Sequence, residues 1–97
     1  MTIWFVSRHP GAVEWARRND VAFDRHVVHL DTAHIVGGDA VIGSLPVNLA
    51  ADICARGAEY WNLSLRLKPQ DRGRELSADD LQRYGASIER YDIRKMP

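Results

Sequence analysis

Ninety-seven residues leave room for one hydrophobic core and exclude a second, so residues 1–97 are read as a single domain. Hydrophobic residues make up 45% and charged residues 27%, the balance of a folded chain and not of a disordered one. Lys plus Arg and Asp plus Glu both number 13, and this zero net charge argues against indiscriminate binding of duplex nucleic acid or anionic membrane: an anionic ligand has to be held in a local pocket.

Thr2 to Val6 is β-branched and aromatic, apolar on both faces as a buried parallel strand is, and it closes at Ser7. Pro10 suits the first turn of a helix, where a missing N–H costs nothing; Ala12, Val13, Trp15 and Ala16 supply its apolar stripe, and Arg17-Arg18-Asn19 its end. Val21 to Leu30 reads as a second strand whose charged members place it at an edge or rim. Asp39 to Gly43 repeats the opening pattern, with Ser44 after the strand and Pro46 opening a helix that ends at Arg56-Gly57. About ten residues separate the second and third strands, too few for a parallel crossover, so the two are antiparallel or apart in the sheet.

Ala58 to Leu67 alternates, with Leu63, Leu65 and Leu67 on one face and Asn62, Ser64 and Arg66 on the other. Ser77-Ala78-Asp79-Asp80 has the form of a capping box that starts a third helix through Leu81 and Tyr84. Gly85 then either caps that helix, making Ala86 to Arg94 a last strand, or lies within a longer helix; the Arg56-Gly57-Ala58 joint favours the strand. The order predicts an α/β domain of Rossmann-like kind, with a mainly parallel central sheet flanked by helices.

The single cysteine, Cys54, falls in an apolar helical pattern and suits a reducing, cytoplasmic setting, and neither a signal peptide nor a membrane span is expected. Neither a dinucleotide fingerprint nor a P-loop occurs, so no nucleotide cofactor is expected. His26, His29, Asp31 and His34 have a metal-like composition, but on a strand His26 and His29 point to opposite faces, so no metal is expected there.

In open α/β sheets, ligands lie beyond the carboxyl ends of the strands, where helix N-termini present free N–H groups. Both serine-proline turns fall there, Ser7-Arg8-His9-Pro10-Gly11 and Ser44-Leu45-Pro46-Val47-Asn48. Ser7 and Ser44 can donate hydroxyls or serve as N-terminal caps, Arg8 can fork onto a phosphate, His9 can exchange a proton, and the backbone at Gly11 can approach closely. Arg72 and Arg74 flank Gly73 in a polar loop that either closes over an anion or is simply solvated.

The segments Ile3 to Ala12, Asp24 to Asp31, Gly38 to Pro46 and Arg72 to Leu76 resemble, in that order, the small accessory proteins of type III CRISPR loci. That family looks related to CARF-type sensors of cyclic oligoadenylates and to ring nucleases, which linearise those second messengers and end antiviral signalling. The resemblance implies a CARF-like domain, cyclic tetra-adenylate as substrate, a homodimer matching the ring's two-fold symmetry, and metal-independent attack by a ribose 2′-OH. It implies Arg8 and the N–H groups near Gly11 as phosphate stabilisers, with Ser7, Ser44 and Asn48 as positioning groups. His9 would be the candidate acid or base, Arg74 part of a closing loop with Arg72, and Pro46 and Ser64 part of the ligand-binding surface. A module that binds the ring without cutting it, an enzyme acting on another phosphorylated small molecule, and a protein partner of a CRISPR complex are the rival readings.

Overall fold

The computed structural model describes residues 1–71 and 73–97, and it is built around a five-stranded sheet. Its strands are β1 (Ile3–Val6), β2 (Arg25–Val27), β3 (Ala40–Gly43), β4 (Glu59–Ser64) and β5 (Ser87–Tyr91), in spatial order β2-β1-β3-β4-β5. The first four are parallel and β5 runs antiparallel to β4. Three helices complete the frame: α1 (Pro10–Arg18), α2 (Val47–Ala55) and α3 (Ala78–Arg83). This is the mainly parallel α/β domain expected, compatible with a Rossmann-like fold.

β1 and β3 sit side by side at the centre, and the chain leaves them in opposite directions, to β2 on one side and β4 on the other. α1 packs with α3 on one face over Phe5, Ile42 and Leu63, while α2 covers Val41 on the other through its own Ile53. Phe5, Val41, Ile53 and Tyr60 are the largest fully buried side chains; burying each apolar one contributes roughly 1.5–3 kcal/mol. The crevice between β1 and β3 is therefore a topological switch point, the place where such sheets bind ligands.

The helix boundaries follow local chemistry. Pro10 occupies the first turn of α1, and Gly57, at φ 84°, follows the Arg56 cap of α2. Ser77 and Asp80 form the reciprocal capping box, Ser77 Oγ accepting from the Asp80 N–H at 3.1 Å and Asp80 Oδ2 from the Ser77 N–H at 3.0 Å. Gly85, at φ 68°, ends the segment after α3, so the strand alternative for the C-terminal region is the one realised.

Several strands are shorter than their residue patterns suggest, among them β5, which covers only Ser87–Tyr91 of the expected Ala86–Arg94. Only Arg25–Val27 of the expected Val21–Leu30 strand is extended; Val28 and His29 bend away, and Thr32–His34 forms a 3-10 turn. β2 and β3 lie apart, on either side of β1, which resolves the short-connection problem. β4 ends at Ser64, and Leu65 and Leu67 continue as coil along a cleft.

Candidate functional site

At the carboxyl ends of β1, β3 and β4 lies a cleft of ≈ 640 Å³. Both serine-proline turns open onto it. Ser7, Arg8, His9, Ser44, Pro46 and Arg74 line it with His29, and leucines from both faces of the sheet form most of its wall. Gly11, Asn48 and Ser64 do not line the cleft, and Arg72 lies outside the described residues.

The turn after β1 is held from three directions. The Ser7 N–H donates to Val27 O at 3.0 Å, its carbonyl oxygen lies 2.8 Å from His26 Nε2, and its Oγ accepts from the His9 N–H at 3.1 Å. A carbonyl can only accept, so His26 Nε2 carries the hydrogen of that contact. His9, not Ser7, is the N-cap residue of α1, and it makes no capping hydrogen bond with its side chain. Ser7 is thus a turn-forming residue whose hydroxyl is engaged within the turn.

The turn after β3 is held from β4. The Ser44 hydroxyl donates to Leu63 O at 2.6 Å, so its proton is spent on the strand, although its lone pairs remain. Tyr60 Oη accepts from the Leu45 N–H at 3.0 Å, and its proton is shared between Gly43 O at 3.1 Å and Asn62 Oδ1. Burial raises the pKa of this phenol, which stays neutral and serves as donor and acceptor together. Reading Tyr60 as an ordinary core aromatic misses this role, since only the parallel β3–β4 register brings its hydroxyl to the turn.

Both helices thus begin without a side-chain cap and without an acidic residue in the first turn. In α2, Leu49 and Ala50 donate back to Pro46 O, and the Val47 and Asn48 N–H groups at its start are left open. α1 has less to offer, because Pro10 has no N–H and Gly11 is pressed against the chain before α3. A Cβ on Gly11 would lie 2.2 Å from Leu76 O, so the glycine serves close packing. Gly11 borders a separate groove with Glu14 and Glu75, whose charges oppose an anion.

The two arginines on the cleft differ. The ion pairs of the described residues engage Arg18, Arg56, Arg74, Arg83, Arg90 and Arg94, but not Arg8, which is exposed at the mouth. Arg74 is held by Asp71 Oδ1 at 3.1 Å and Asp80 Oδ2 at 3.3 Å, with Tyr84 Oη at 3.4 Å. Tyr84 beside Asp71, and the Ser77 N–H on Asp80, hold both carboxyls below their usual range. Arg8 is therefore the cation open to a ligand, while Arg74 must leave two carboxylates to reach one.

The histidine set disperses. His26 serves the Ser7 turn, His29 reaches the cleft, and His34 sits 4.0 Å from Asp31, which itself accepts from the Ala33 N–H. Among the described residues, no three His, Cys, Asp or Glu side chains are grouped to hold a metal ion. No helix among them is long and apolar enough to cross a membrane.

A family model described as "Putative CRISPR-associated protein (Cas_VVA1548)" matches residues 4–94. No curated protein and no solved structure matches the chain.

Proposed function

The chain belongs to this family of CRISPR-associated proteins, and from that premise we propose that it is a ring nuclease that binds and linearises a cyclic oligoadenylate. The observation carrying this reading is the meeting, on one switch-point cleft, of the uncapped start of α2 at Pro46 and an arginine without an ion-pair partner among the described residues. A wall of leucines around these cationic and N–H groups suits a ligand with apolar faces as well as phosphates, which describes an oligoadenylate better than a free phosphate or a small acid.

In the proposed reaction a ribose 2′-oxygen attacks the neighbouring phosphorus. The new O2′–P bond closes a 2′,3′-cyclic phosphate, the P–O5′ bond breaks, and the proton lost from the 2′-OH is balanced by one gained at the leaving 5′-oxygen. Arg8 would neutralise charge growing on the phosphoryl oxygens, and the start of α2, which meets the cleft at Pro46, would add the partial positive charge of a helix N-terminus. His9, beside Arg8 on the cleft, is the group able to carry the proton. Two copies would share one ring, following its two-fold symmetry. One observation favours sequestration without cleavage: the Ser7 and Ser44 hydroxyls are both engaged by the protein itself, leaving His9 without a second proton carrier.

The test is incubation with cyclic tetra-adenylate, with and without EDTA, resolving products by chromatography and mass. Linear products ending in a cyclic phosphate, unaffected by EDTA, are expected. Tight binding with the ring intact would make the protein a sponge or sensor, and neither binding nor cleavage would remove the oligoadenylate reading.

A further inference from the structure

A second surface adjoins the cleft on the α2 side of the sheet. The register places Gly43, Asn62 and Glu89 in one row across β3, β4 and β5, with Ser64 opposite Ser87 in the next pair. Paired residues share a face, so Asn62, Ser64, Ser87 and Glu89 form a square of polar side chains on the face that also carries Tyr60. α2 packs on β4, and Glu89 and Tyr91 beyond it remain exposed.

The β4 half of the square is joined to the turn after β3 by hydrogen bonds. Tyr60, which accepts from the Leu45 N–H, donates to Asn62 Oδ1, and Asn62 Nδ2 donates to Ser64 Oγ at 2.7 Å. Ser64 therefore accepts from inside, leaving its own proton free to donate outward. The Ser87 hydroxyl donates to Glu89 Oε1 at 3.3 Å, and no cation among the described residues pairs with Glu89. The neighbouring Arg90 points to the other face, towards Glu59 at 3.9 Å.

A solvated edge-strand face would account for scattered polar residues. It does not account for a hydrogen-bonded run from a buried tyrosine through Asn62 to Ser64 that faces, across the β4–β5 pair, a Ser87–Glu89 pair whose carboxylate has no cation partner among the described residues. From the turn after β3 to β5 is two strand spacings, about 10 Å, a separation that a phosphate and its attached sugar can bridge. A carboxylate flanked by hydroxyls and an amide matches sugar hydroxyls, which donate to the first and exchange hydrogen bonds with the others.

We propose that Glu89, Ser87, Asn62 and Ser64 form a ribose subsite that reads a 2′-hydroxyl and so selects ribonucleotides over deoxyribonucleotides. The inference rests on the oligoadenylate reading for its natural ligand, but its chemistry concerns the sugar alone. The test is calorimetric titration with AMP and 2′-deoxy-AMP, and with cyclic tetra-adenylate and its all-2′-deoxy counterpart, on the wild type, Glu89→Ala and Ser64→Ala. The wild type should prefer each ribo ligand by about tenfold, and Glu89→Ala should bring that ratio to within about twofold while binding of the deoxy ligands is unchanged. An unchanged ratio in both variants, or no preference in the wild type, overturns the subsite even if the ring is bound and cleaved. AMP discriminated through Glu89 while the cyclic ring is ignored upholds the subsite and removes the oligoadenylate function; no binding of any probe removes both.

Discussion

The two ends of the parallel sheet treat their polar groups in opposite ways. At the amino ends, Asp39 is 3% exposed and its carboxylate accepts from the Thr2 N–H at 2.9 Å, the Val36 N–H at 3.2 Å and Trp4 Nε1 at 3.4 Å. Asp24 closes the same end by accepting from the Ile3 N–H at 2.8 Å. At the carboxyl ends, Arg8 has no ion-pair partner among the described residues and the first N–H groups of α2 are open. One end uses its charges to hold the chain together; the other leaves them for something outside it. Stability and binding should therefore be separable by position along the same strands.

The largest effect separates them from the open end. Arg8→Ala should lower turnover of cyclic tetra-adenylate by about 10²–10³-fold, as the loss of one phosphate-stabilising group does, while stability stays within about 0.5 kcal/mol. Urea unfolding beside single-turnover cleavage checks both halves, and equal turnover would take the Ser7–Gly11 turn out of the mechanism.

Asp39→Ala is the reciprocal break. It strands three donors at a part-buried site and should cost about 2–4 kcal/mol in denaturant unfolding, with ligand affinity retained wherever the variant is folded. The Thr2 N–H, first among its partners, holds the Asp39 carboxyl below its ordinary range. The lowered folded pKa means its contribution is fully present above about pH 4, the unfolded value, and is lost as pH falls through the folded value. Wild type and variant should therefore converge in stability as the solution is acidified, and parallel acid limbs would exclude this account.

Tyr60→Phe sharpens the comparison, because Tyr60 is a core residue whose hydroxyl serves the open end. It should cost about 1–2 kcal/mol of stability and also weaken ligand binding several-fold. A stability loss with affinity unchanged would make the Leu45 contact purely structural.

Much of the frame is visible in residue patterns. Pro10, Pro46, Gly57, Gly85 and the Ser77–Asp80 box act within one turn of the chain, so their effects can be read locally. Candidate site residues are legible for the same reason where they stand in the turns themselves, as Ser7, Arg8, His9, Ser44 and Pro46 do at the cleft. The packing role of Gly11 is not legible locally, because the atoms that require a glycine belong to Leu76 and Ser77, far along the chain. Arg74 reads as a free cation until Asp71 and Asp80 are seen around it.

The amino-acid sequence alone determined the alternation of strands and helices, the two serine-proline turns and the net neutrality that calls for a local anion site, since these follow from periodicity, propensity and composition. Tertiary structure decided that β1 and β3 are neighbours, that Arg8 is open while Arg74 is held, and that Tyr60 governs the second turn. The physical reason is one of range. Backbone conformation answers to residues a few positions away, whereas strand order and the pairing of charges depend on contacts between residues distant along the chain, fixed only when the core closes.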